Sequence, residues 1–148
     1  MKDLQEYVSD MPLPVQVFFT LVDTTAQLVD VSEKYWQSKG LNGARIRILV
    51  EIMKEGGVLL PSMLAKKIGV TKSNISLLLV PLEKEGYIQR RPHPSDGRKW
   101  VVSITDEGQR LLLQHLPGNR QEITSKIQGL EEQEQKQLLS LLNKLKKM

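Results

Sequence analysis

Apolar side chains recur at helical intervals along most of the chain. Between Asp10 and Lys39, Phe18, Leu21, Thr25 and Leu28 form one stripe, and Val15, Val22 and Val29, seven apart, form a second. The pattern predicts one long helix buried on two sides. A chain of 148 residues is small to surround such a helix alone, so the pattern also predicts a partner subunit. Gly40 ends the helix. Asn42 can cap the next one, whose expected inward residues are Ala44, Ile48, Leu49, Ile52 and Met53, and Gly56–Gly57 stop it. Val58–Leu60 is a short extended piece. Pro61 suits the first turn of a third helix, where its missing N–H is not needed.

The densest pattern follows. Leu64, Ala65 and Ile68 are the inward residues of a short helix, Gly69 makes a tight turn, and Thr71 can cap a second helix. There Ile75, Leu78, Leu79 and Leu82 stand at i, i+3, i+4 and i+7. This is a helix-turn-helix pattern. Gly86 closes it. Tyr87–Arg91 reads as a strand, Pro92–Gly97 as a turn-rich loop, and Lys99–Ile104 as a strand with Trp100, Val102 and Ile104 on one face. A β-hairpin with a basic tip directly after a helix-turn-helix gives the winged arrangement. Thr105 then caps another helix, packed through Leu111, Leu112 and Leu116, which Pro117-Gly118 should kink or break. Helix resumes with Ile123, Ile127 and Leu130. A last segment begins acidic at Glu131, ends basic at Lys147, and carries the stripe Leu138, Leu141, Leu142 and Leu145. The fold class expected is mainly α with a small β-hairpin wing: one domain over residues 1–148, with a winged lobe over 42–104 flanked by helices at 1–40 and 105–148.

Charge sharpens this picture. Residues 61–100 carry 8 basic and 3 acidic side chains, net +5, between a net −2 before them and a net +1 after. A local positive field without a catalytic cluster points to a polyanion partner; an unevenly charged solvated surface is the alternative. With no cysteine and two histidines, thiolate chemistry and a histidine-rich metal site are not expected. No P-loop, dinucleotide fingerprint or nucleophile elbow is present, so neither an enzyme nor an organic cofactor is expected. The longest charge-free stretch, Met11–Val22, is 12 residues, against about 20 for a membrane span. The start MKDLQEYVSD is too acidic for a secretory signal. A cytoplasmic protein is expected.

The stretches LAKKIGVTKSNIS, LEKEGYIQRRPHPSDGRKW and VSITDEGQRLL resemble the MarR family of bacterial transcription regulators. The most specific part is Pro94-Ser95-Asp96-Gly97-Arg98 followed by Ile104-Thr105-x-x-Gly108. The resemblance covers Leu41 to Leu116. It implies a homodimer built by interlocking terminal helices, two winged lobes on a pseudo-palindromic double-stranded DNA operator, repression by occlusion, and often a small-molecule effector. Two departures stand out. The family's second helix commonly has an arginine where this chain has Leu77 and an acidic residue where it has Val80, which here precedes Pro81.

The expected reading residues are Thr71, Lys72, Ser73, Asn74, Ser76 and Leu77 at the start of the second helix. On the wing they are Arg90, Arg91, Asp96, Arg98 and Lys99. Arg98 would enter a minor groove with Asp96 orienting it, while Arg90, Arg91 and Lys99 would touch phosphates. A winged module that binds proteins rather than DNA is the rival reading. Leu77 and Val80 have two readings, contact with thymine methyls or burial behind a kink at Pro81. Phe18, Trp36 and Arg47 are candidate effector contacts, with core or dimer packing as the other fate of the aromatics.

Overall fold

The computed structural model describes residues 2–147. The elements run α1 (Lys2–Ser9), α2 (Leu13–Ser38), α3 (Gly43–Lys54), β1 (Val58–Leu59), α4 (Pro61–Ile68), α5 (Lys72–Lys84), β2 (Ile88–Pro92), β3 (Trp100–Ile104), α6 (Asp106–Ile127) and α7 (Glu132–Lys146). The chain forms two compact units. One is Tyr35–Gln121; the other combines the segments up to Lys34 and from Glu122.

The Tyr35–Gln121 unit holds the core. Ile48, Leu49, Ile52, Leu64, Ile75, Leu79, Leu82, Ile88 and Val102 are essentially removed from water. The sheet has the order β1-β3-β2, antiparallel throughout, with Val58 opposite Ser103, and Ile88 through Pro92 opposite Ile104 through Trp100. It is therefore more than the expected hairpin: the two-residue β1 makes β3 a central strand. The face of Trp100, Val102 and Ile104 is present, but Val101 and Ser103 on the other face are buried too. The Ser103 hydroxyl is buried without a hydrogen-bond partner. Asn42 caps α3 as expected, accepting from the Arg45 N–H at 3.2 Å. The inward stripe of α3 is shifted, however. Ile46 is buried, whereas Ala44 is exposed and Met53 is 40% exposed. The larger isoleucine covers more apolar surface than alanine when turned inward, so its burial sets the helix rotation.

The helix expected over Asp10–Lys39 is α2, which starts at Leu13 with Pro14 in its first turn; the short α1 that precedes it was not expected. Contrary to expectation, Pro117-Gly118 does not interrupt α6, which continues to Ile127. Proline removes the intrahelical hydrogen bond to the Leu113 carbonyl; the His115 carbonyl accepts from the Tyr35 hydroxyl at 2.9 Å. A Cβ on Gly118 would collide with that hydroxyl.

The other unit has a different character. None of its described side chains is buried, while Leu13, Phe18, Phe19, Val22, Val29, Leu139, Leu141 and Leu145 are all exposed. Helix α7 opens with a capping box between Glu131 and Glu134. Among the described residues, no helix is long and apolar enough to cross a membrane.

Candidate nucleic-acid interface

Helix α4 ends at Gly69, whose φ of 84° is a left-handed conformation suited to glycine. The N–H groups of Gly69 and Val70 donate to the Ala65 carbonyl at 2.9 and 3.0 Å, closing the turn. Thr71 then caps α5, its hydroxyl oxygen accepting from the Asn74 N–H at 3.2 Å. With one lone pair on the cap, its O–H remains a donor toward solvent.

Helix α5 buries Ile75, Leu79 and Leu82. Thr71, Lys72, Ser73, Asn74, Ser76 and Leu77, the expected reading residues, are all exposed. The Ser76 hydroxyl donates to the Lys72 carbonyl at 3.2 Å, so toward solvent it presents lone pairs. Pro81 lies inside α5, which nevertheless continues to Lys84. No kink turns the apolar pair inward: Leu77 is 70% and Val80 43% exposed. That removes the core alternative for both.

The wing is built by its own loop. The His93 N–H donates to the Lys99 carbonyl at 3.0 Å and the Lys99 N–H to the Asp96 carbonyl at 3.1 Å. His93 Nδ1 accepts from the N–H groups of Ser95 and Asp96 at 3.1 and 3.2 Å. Asp96 Oδ1 accepts from the Arg98 N–H at 3.1 Å and lies 3.6 Å from Arg98 Nε. The carboxylate thus shapes the turn first and holds the guanidinium only loosely, leaving the Arg98 side chain 94% exposed at the tip.

Arg90 makes two contacts within the protein. Its Nε lies 2.7 Å from Glu83 Oε2 and its guanidinium stacks 4.5 Å from the Trp100 ring centroid. Strand alternation puts Arg90 on the Trp100 face and Arg91 on the other. Arg90 therefore ties the end of α5 to the wing. Lys67 is similarly engaged: its Nζ is 2.8 Å from Glu55, whose carboxylate holds the ammonium pKa above its ordinary value. Lys66, Lys72, Lys84, Arg91 and Lys99 have no carboxylate partner among the described residues.

Of the expected effector residues, Trp36 and Arg47 belong to the Tyr35–Gln121 unit and Phe18 to the other. Phe18 lies in the flanking unit, exposed and edge-on to Phe19 at 5.2 Å. Trp36 is 3% exposed and belongs to the core. Arg47 is exposed and donates to the Lys67 carbonyl at 3.4 Å. A mostly apolar cavity of about 520 Å³ lies elsewhere in the same unit, between Met53 of α3 and Leu112, Leu113, Leu116, Pro117 and Arg120 of α6. The leucine spacing on α6 was visible in the sequence, but nothing there separated a cavity wall from ordinary packing.

Residues 39–99 match the MarR family. Over 132 residues, 88% of this chain and 79% of the relative, the chain is 31% identical to the HTH-type transcriptional repressor YetL of Bacillus subtilis. It is 26% identical over 145 residues, 98% of this chain and 89% of the relative, to the HTH-type transcriptional repressor MdtR of the same species. Among solved structures, a MarR family transcriptional regulator from Streptomyces coelicolor in complex with DNA superposes with a TM-score of 0.80 at 25% identity, covering 92% of this chain and 88% of that one.

Proposed function

Because the chain belongs to the MarR family of transcriptional regulators, we propose that it is a homodimeric, ligand-responsive repressor that binds a pseudo-palindromic double-stranded DNA operator. The observation that carries this reading is the pairing, in one unit, of an outward-facing polar helix start with a basic wing whose Arg91 and Lys99 have no carboxylate partner among the described residues and whose Arg98 side chain is 94% exposed. Thr71, Lys72, Ser73, Asn74, Ser76 and Leu77 are the proposed major-groove residues. Arg98 is the proposed minor-groove residue, with Arg91 and Lys99 on phosphates. Arg90 and Asp96 act as positioning residues for the wing.

The lobe over residues 42–104 is the proposed DNA-binding part, and the helices over 1–40 and 105–148 the dimerisation part. Support for a second copy comes from the flanking unit, whose large apolar side chains find no burial within the chain. Closed two-fold pairing is the commonest way to cover such a surface, and it matches a palindromic site. The proposed effector site is the cavity walled by Leu112, Leu113 and Leu116, with Arg120 at its edge suited to an acidic group.

A fluorescence-anisotropy titration of the intact chain on duplex DNA tests the reading. With about 6–10 phosphates contacted, affinity should fall roughly 10³–10⁵-fold between 50 and 200 mM salt. An absence of salt-dependent duplex binding overturns it.

A further inference from the structure

We propose that Leu77 and Val80 form an apolar reading surface for thymine C5-methyl groups, so that each half-site is specified under the middle of α5 by thymines rather than guanines. This rests on the DNA-binding reading and deepens it to the chemistry of the operator.

Three observations carry it. First, Leu77 and Val80 lie three residues apart on the face that also bears Ser73 and Ser76, and they are 70% and 43% exposed. Leucine and valine in that position lose nothing by leaving water and gain by meeting another apolar group. The major-groove edge offers one such group, the thymine methyl. Second, between Lys72 and Glu83 the helix carries no charged side chain. Guanine is most often read by an arginine or lysine on its O6 and N7, and the middle of α5 has neither. Third, the unit that carries the apolar pair also exposes Lys72 on the same helix and Arg91, Arg98 and Lys99 on the wing. Cationic surroundings fit a polyanion that carries methyl groups in its groove better than the apolar face of a protein.

The test begins with duplexes enriched from a randomised pool by the intact wild-type chain. The tightest are resynthesised with uracil in place of each thymine in turn, which removes the methyl and nothing else. At one or two positions per half-site, wild type should lose about fourfold in affinity per methyl. Leu77→Ala should bind the thymine duplex correspondingly less tightly and no longer distinguish thymine from uracil at one of those positions, a coupling read by a double-mutant cycle. Its melting temperature should stay near wild type. Enriched duplexes that bind equally well with uracil at every position, or a Leu77→Ala that discriminates as wild type does, overturn the methyl reading while DNA binding stands. A large loss of melting temperature in Leu77→Ala makes the side chain structural and overturns it too. If no duplex is enriched and none binds, the DNA-binding reading itself fails, and this inference with it.

Discussion

The Tyr35 hydroxyl occupies the space that residue 118 leaves by being glycine, and from there it donates to the His115 carbonyl at 2.9 Å. The contact joins the last turns of α2 to the proline-containing stretch of α6. It accounts for the glycine: a side chain at position 118 would displace the tyrosine hydroxyl from this bond.

Gly118→Ala should therefore destabilise the protein, although alanine in a helix interior is ordinarily worth about 1 kcal/mol over glycine. Tyr35→Phe, which removes only the hydroxyl, should cost about 0.5–1.5 kcal/mol. In the Tyr35→Phe background the alanine penalty should shrink. Denaturant unfolding of the two single variants and the double measures the coupling; additive effects would disconnect the two residues.

Ser103→Ala should leave stability unchanged or raise it by about 1 kcal/mol. A buried hydroxyl without a partner carries a desolvation cost that alanine does not. Thermal unfolding decides it, and a clear loss would mean that the hydroxyl contributes to the sheet.

Arg90 and Arg98 should separate cleanly. Arg90→Ala removes the Glu83 pair and the Trp100 stack, so it should lower the melting temperature and weaken DNA binding indirectly. Arg98→Ala should leave melting unchanged and weaken binding most on A·T-rich flanks. Lys72→Ala, Arg91→Ala and Lys99→Ala each remove two cations from the dimer, so each should reduce the log–log salt slope by about 2. Melting curves and salt titrations on the five variants supply both readouts.

Ending the chain before Glu131 removes α7 and the leucines that find no burial within the protein. The truncated chain should sediment as a monomer or aggregate and bind duplex DNA weakly. A dimer of normal affinity would place the pairing surface elsewhere.

What the sequence made legible was its local punctuation. Asn42, Gly69 and Thr71 act through bonds to residues three or four away, so spacing alone located them. The winged lobe followed, because each helix and turn is announced in this way. Contacts between residues distant in sequence were hidden. Arg90 and Arg91 look alike until strand alternation sends one onto Trp100 and the other into solvent. Ile46 and Ala44 are both compatible with a helical stripe, and only packing against the rest of the unit chooses between them. Val58–Leu60 reads as extended, but two residues of β1 are too few to show a period, so its pairing with β3, and with it the burial of Ser103, could not be read. Leu77 was ambiguous because proline can bend a helix; here α5 runs on, and the side chain stays outside.

The Glu83–Arg90–Trp100 pin gives the protein the properties of a ruler. The ion pair joins the end of the reading helix to a wing strand, so what the helix touches and what the wing tip touches are held at a fixed separation. Inserting one base pair between those two places shifts them by about 3.4 Å and rotates them by about a tenth of a turn. A hinged wing would follow that shift; a pinned one has to release one of its two contacts. Operators for this protein should accordingly tolerate base changes between the two contact points far better than changes in the number of base pairs separating them.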